Sequence, residues 1–154
     1  MSSYEAITSL LNANSVNYQE LDHDPVYTTE DAAKIPGLTL ESGAKSMLLK
    51  TKNKFILIVM SGSKKLDSKK LKKALGVKEI RFATPAEVKD QMGCIVGACY
   101  PFGSIANLET YLDKSLLDQS SISINPGLHD KSLILKLSDF VLVEKPQIVD
   151  VSAL

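Results

Sequence analysis

Cysteine and histidine are scarce: the 154 residues hold two of each, with Cys94 and Cys99 close together and His23 and His129 far apart. Two thiols in one apolar segment, without further Cys or His at metal-ligand spacing, exclude a disulfide framework and a legible zinc site. They read as reduced, buried thiols of a cytoplasmic protein. A chain of this length does not need such staples, since it can bury about two thirds of its unfolded surface. Long apolar runs are missing too. The longest, Phe55 to Met60, falls far short of the roughly 20 residues that cross a bilayer, and no cationic-apolar-small leader opens the sequence. The expectation is a soluble protein with no membrane partner. Net charge is absent as well: 18 Lys and Arg offset 18 Asp and Glu, so no global field draws in DNA or other nucleic acid. With no repeat, low-complexity tract or linker, residues 1–154 read as a single domain.

What is present is unevenly placed. Lys64, Lys65, Lys69, Lys70, Lys72 and Lys73 stand against Asp67 alone, a local excess of positive charge in a neutral chain. Ser2 and Glu5 have capping-box spacing ahead of Ile7, Leu10 and Leu11, which predicts a helix to about Ala13. A short helix is expected over 29–34, stopped by Pro36-Gly37. Two apolar runs, 45–51 and 55–60, flank the polar Lys52-Asn53-Lys54 and predict a hairpin at the centre of a sheet. Asp67 can cap a helix ending at Gly76, and Thr84-Pro85-Ala86-Glu87 combines N-cap, N1 proline and N3 glutamate. Further strands are expected at 79–82, 95–100, 108–112, 121–125 and 132–137, with a last helical turn near 139–143. Strands without strict βαβ alternation argue for an α+β fold with a mixed, curved, partly barrel-like sheet flanked by helices.

Three polar or glycine-bearing punctuations sit beside these strands. Gly97-Ala98-Cys99-Tyr100-Pro101-Phe102-Gly103 follows an apolar run, Lys45-Ser46 opens another after Ser42-Gly43-Ala44, and Asn125-Pro126-Gly127-Leu128-His129 closes a third. Each has an ordinary explanation. Glycine and proline are common turn residues, and a lysine at a strand end can simply reach water along its own stem. Cys99 and His129 have no spacing that predicts contact, so a thiol-imidazole hydrolase stands as the weaker alternative.

The order of these segments resembles the YbaK-like and prolyl-tRNA synthetase-associated editing-domain family. The likeness begins at His23-Asp24-Pro25-Val26-Tyr27-Thr28, similar to the family's His-x-Pro-Val-x-Thr, and runs through Ala44-Lys45-Ser46, Lys65-Leu66-Asp67, 81–87 and the Gly97 turn. It covers nearly the whole chain. It implies that family's fold and a trans-acting hydrolase that removes a wrongly attached small amino acid from a tRNA, proline tRNA being one case. Lys45 would hold the reacting end, and the backbone N–H groups of Gly97 and Ala98 would bind the developing oxyanion. One such donor is typically worth about 3 to 4 kcal/mol.

By the same resemblance Ser46, Pro101, Phe102, Asn125, Gly127 and His129 would shape the substrate pocket, with His23 near its entrance. Relatives that clear alanine from proline tRNA resemble the order His-Pro-x-x-Asn, whereas histidine and asparagine trade places over Asn125 to His129 here. Lys64, Lys65, Lys69, Lys70 and Lys73 would contact tRNA phosphates. The implied partners are the 3′ end of an aminoacyl-tRNA and a synthetase; no metal and no organic cofactor is implied. A non-catalytic module that binds tRNA or a synthetase through the same surfaces is the alternative class.

Overall fold

In the computed structural model, which describes residues 1–154, the two apolar runs form the antiparallel hairpin of β2 (Ala44–Thr51) and β3 (Phe55–Ser61). Thr51 N–H donates to the Lys54 carbonyl at 2.8 Å and closes the turn. Leu57 and Val59 of β3 enter the larger of two apolar cores, while Ile56, Ile58 and Met60 enter the smaller one on the opposite face. Burial on both faces explains why this strand is a continuous apolar run and not an alternation.

The hairpin lies at the heart of a five-stranded sheet in the order β4 (Ile80–Phe82), β2, β3, β5 (Glu109–Asp113), β8 (Gln147–Val149). β5 pairs parallel with β3 and with β8, so the sheet is mixed. A second, antiparallel sheet runs β1 (Tyr18–Asp22), β7 (Lys131–Lys136), β6 (Ser121–Ile124). The two sheets meet at a lone bridge between Gly43 and Ser123, where Ser123 N–H donates to the Ser42 carbonyl at 3.0 Å. The α+β class holds. The expected single, partly barrel-like sheet is corrected to two open sheets, because nothing pairs their remaining edges.

Helices close the cores. α1 (Ser3–Ala13), capped by Ser2, contributes Ile7 and Leu11 to the larger core; α4 (Pro85–Met92) contributes Val88 and Met92. Its capping box is complete, with Thr84 and Glu87 bonded reciprocally. α2 (Thr29–Ala32) is a single turn held by Thr28. α3 (Ser68–Leu75) is capped by Asp67, which accepts from the N–H groups of Lys69 and Lys70, and it lays Leu71 over the smaller core.

Four elements differ from expectation. Residues 95–100 are not a strand: Ala98 N–H donates to the Ile95 carbonyl at 2.9 Å, closing a turn that leaves Ile95 and Val96 exposed. α5 is a full helix (Leu137–Glu144) and not a turn, and the Glu144 carboxylate anchors it by accepting from Ser104 N–H, Ser104 Oγ and Thr110 Oγ1. β1 and β8 are additional strands. Both carry polar residues and pair along one edge only, so neither shows the apolar pattern of a central strand.

Candidate functional site

An open cleft of about 330 Å³ lies where the two sheets meet. Its floor is Gly43 to Met47 at the start of β2. One wall is the 26–30 segment leading into α2, and the other is formed by Gly97, Cys99 and the end of β6 at Ser123 to Asn125. Lys45, Ser46, Gly97 and Asn125 therefore border one cavity, although they are far apart in the chain. Glu30 and Lys45 are the charged residues on its lining.

Lys45 is half-buried, and its ammonium donates to the Lys64 carbonyl. Burial holds its pKa below the ordinary lysine value; the Glu30 carboxylate opposes that shift and the Lys65 charge adds to it. Ser46 is the next residue, so its side chain leaves the opposite face of the strand. Its hydroxyl is buried without a hydrogen-bond partner. The backbone here is open too. Ala83 N–H donates to the Leu48 carbonyl on the β4 side, and residues two apart in a strand point the same way. The Ser46 peptide groups thus face the outer edge of β2, where β4 pairs only with Leu49 to Thr51 and the β6 bridge reaches only Gly43.

Gly97 is required by its neighbours. Its φ is +93°, and a Cβ there would sit 2.5 Å from the Tyr27 carbonyl oxygen, so the turn packs its backbone directly on the opposite wall. Asn125 Nδ2 donates to the Gly97 carbonyl at 3.3 Å, while its Oδ1 accepts from Gly127 and Leu128 N–H. Ala98 is placed differently from the expectation: its N–H is used within the turn, and the residue is buried off the cleft. Gly103 serves packing, since its N–H donates to Thr110 Oγ1 and a Cβ would strike that oxygen at 2.2 Å.

Pro101 and Phe102 do not reach the cleft; both are buried, and Phe102 packs edge-on against Phe140 with ring centroids 5.2 Å apart. Gly127 faces Ser3 of α1. His129 stands behind the wall, its ring 4.4 Å from that of Tyr27 and its Nε2 buried without a partner. It makes no contact that would activate Cys99, whose sulfur instead lies 3.3 Å from Cys94 Sγ. His23 Nδ1 donates to the Asp24 carbonyl at 2.8 Å, and its Nε2 is hydrogen-bonded to Ser132 Oγ at 2.9 Å. His23 therefore orients Ser132, which lines the cleft.

Lys64, Lys65, Lys69 and Lys73 are exposed beside or along α3. Lys70 is committed elsewhere: its ammonium donates to the Ser152 carbonyl at 2.9 Å and lies 3.7 Å from Asp150. Tyr27, Glu30, Ser123 and Ser132 are cleft residues that the sequence did not reveal as such, while Cys99, weighed there only as a nucleophile, lines the cleft too. Of the unrevealed residues, Tyr27 carried a signal, as one of the two variable positions inside His-x-Pro-Val-x-Thr. No group of three or more His, Cys, Asp or Glu side chains is gathered to hold a metal ion.

A two-sheet α+β scaffold with a lysine-floored cleft at the sheet junction defines an editing-type domain, and the chain belongs to the aminoacyl-tRNA editing domain family, whose profile it matches over residues 23–142. It is 29% identical over 152 residues to the multifunctional Ser/Thr-tRNA deacylase ProXp-y of Escherichia coli K12, covering 96% of this chain and 91% of that protein. It is 26% identical over 151 residues to the prolyl-tRNA editing protein ProX of Acetoanaerobium sticklandii, covering 94% of this chain and 92% of the relative. In fold it superposes on a crystal structure described as a candidate trans-editing enzyme for prolyl-tRNA synthetase, with a TM-score of 0.87, 22% identity and coverage of 99% and 98%.

Proposed function

We propose that this chain is a freestanding trans-editing deacylase, one editing unit over residues 1–154, that acts in the cytoplasm on the 3′ end of a mischarged tRNA. The observation that carries the reading is the shared cleft: Lys45 and the Gly97 turn open on one cavity in a chain that belongs to the editing family. In ester hydrolysis, water attacks the carbonyl carbon and the carbonyl oxygen gathers negative charge. The bond to the ribose oxygen then breaks, that oxygen takes up a proton, and the amino acid leaves as a carboxylate.

The Lys45 ammonium would turn from the Lys64 carbonyl to hold the reacting end and stabilise that charge. The Gly97 amide, on the same cleft, would bind the oxyanion. The open Ser46 peptide on the outer edge of β2 would supply a further donor. Glu30 suits the α-ammonium of the aminoacyl group. No imidazole lines the cleft to serve as a general base, so the water is activated by positioning and, by family analogy, by the terminal ribose hydroxyl of the tRNA.

The cleft size and the hydroxyls of Ser46, Ser123 and Ser132 favour a small, polar amino acid as the group removed, in keeping with the Ser/Thr name of the Escherichia coli relative. Lys64, Lys65, Lys69 and Lys73 would meet tRNA phosphates, with a synthetase as an optional second partner. Purified protein at substoichiometric concentration should release amino acid repeatedly from tRNAs mischarged with serine, threonine or alanine. Tight binding of such tRNAs with no release from any of them would overturn the deacylase reading in favour of a binding module.

A further inference from the structure

The two free thiols are neighbours in space as well as in sequence. Cys94 Sγ and Cys99 Sγ are 3.3 Å apart, Cys94 buried in the larger core and Cys99 half-exposed on the cleft wall beside Gly97. The segment between them is a turn with Ile95 67% exposed and Val96 53% exposed, left-handed Gly97 within it and left-handed Gly93 just before Cys94, so its solvent-facing half has room to adjust while Ala98 stays buried. Neither thiol is needed as a nucleophile, and no imidazole or lysine contacts either one.

We propose that Cys94 and Cys99 form an oxidisable dithiol, a modification site at which a hydroperoxide closes a reversible disulfide in the cleft wall. Cys99 is the attacking sulfur. The Cys94 thiol donates to it, which lowers its pKa; burial opposes that shift and the Gly97 amide adds to it. Cys94 stays protonated, since sharing its proton with Cys99 and being buried both raise its pKa. The Cys99 thiolate takes one oxygen of hydrogen peroxide as the O–O bond breaks, giving a sulfenic acid and a hydroxide that is protonated to water. Cys94 Sγ then displaces the hydroxyl from Cys99 Sγ, its proton leaving with that group as a second water. Two thiols lose two electrons, the peroxide gains them, and a dithiol reductant reverses the change.

Closure draws Cys99 from the wall toward the core, and Gly97 moves with it. The Gly97 backbone then loses its fit on the Tyr27 carbonyl, so the oxidised form should deacylate several-fold more slowly. That consequence rests on the deacylase reading; the chemistry of the pair does not. The test is intact-protein mass and peptide mapping after hydrogen peroxide and maleimide blocking. Wild type should lose two hydrogens, yield a Cys94–Cys99 cross-linked peptide and no maleimide adduct, and regain both thiols and full activity with dithiothreitol. Cys94→Ala should instead accumulate a dimedone-reactive sulfenic acid on Cys99. Maleimide uptake by both cysteines of peroxide-treated wild type, or equal dimedone labelling of wild type and Cys94→Ala, would overturn the proposal. A disulfide that forms and leaves turnover unchanged would overturn its link to the cleft.

Discussion

Single residues decide the site more sharply than they decide the fold. Lys45 and the Gly97 turn stood out through their likeness to the editing family's motifs, since by themselves a lysine at a strand end and a glycine-proline turn have ordinary explanations. The roles of their neighbours were hidden by contacts that spacing does not encode. Pro101 and Phe102 belong to the same motif yet point into the core, and the Ala98 amide is used within its own turn. Glu30 and Ser123 have no motif at all. Gly97 offers the clearest test at this scale, since an added methyl would meet the Tyr27 carbonyl from a left-handed backbone. Gly97→Ala should lower stability by roughly 1–3 kcal/mol in urea unfolding, as expected for a strained non-glycine residue. Deacylation should fall more than tenfold under conditions where the variant is still folded. Activity that tracks only the folded fraction would mean that the turn's position has no part in the chemistry.

Elements were legible where their ends carry chemistry. α3 and α4 follow directly from Asp67 with Gly76 and from Thr84-Pro85-Ala86-Glu87, and the β2–β3 hairpin follows from two apolar runs around a polar turn. Residues 95–100 misled because an apolar run is read as a strand, although glycines at 93 and 97 bend it into a turn. β1 and β8 escaped because edge strands are under no pressure to alternate. The function of α3 is itself testable. Asp67 and Leu71 set its orientation and leave Lys69 and Lys73 in water, whereas Lys70 tethers the 150–152 segment. Reversing Lys69 and Lys73 to glutamate should raise KM for mischarged tRNA and shrink the log–log salt slope by about 1–2, given roughly 0.7–0.9 per phosphate contact. An aminoacyl-nucleoside should be hydrolysed as before. Equal losses on both substrates would assign the lysines to the fold and not to tRNA.

At the scale of the whole molecule, the cleft exists because the two sheets touch at one bridge and then part. β6 covers the outer edge of β2 at Gly43, β4 covers it from Leu48 onward, and the peptide of Ser46 between them faces open space. The α+β class could be read from the chain, because strand and helix counts are local properties. The division into two sheets could not, because it depends on which distant edges pair. The same division brings Lys45, Gly97 and Asn125 from three separate segments to one cavity. The claim that this convergence is an editing site is tested most directly by the single-turnover rate of Lys45→Ala on a mischarged tRNA, with its circular dichroism and melting temperature compared with wild type. A fall of about 10²–10³ in rate with an unchanged fold is the predicted result, in the range for removing one transition-state donor. A rate within a few-fold of wild type would contradict the account.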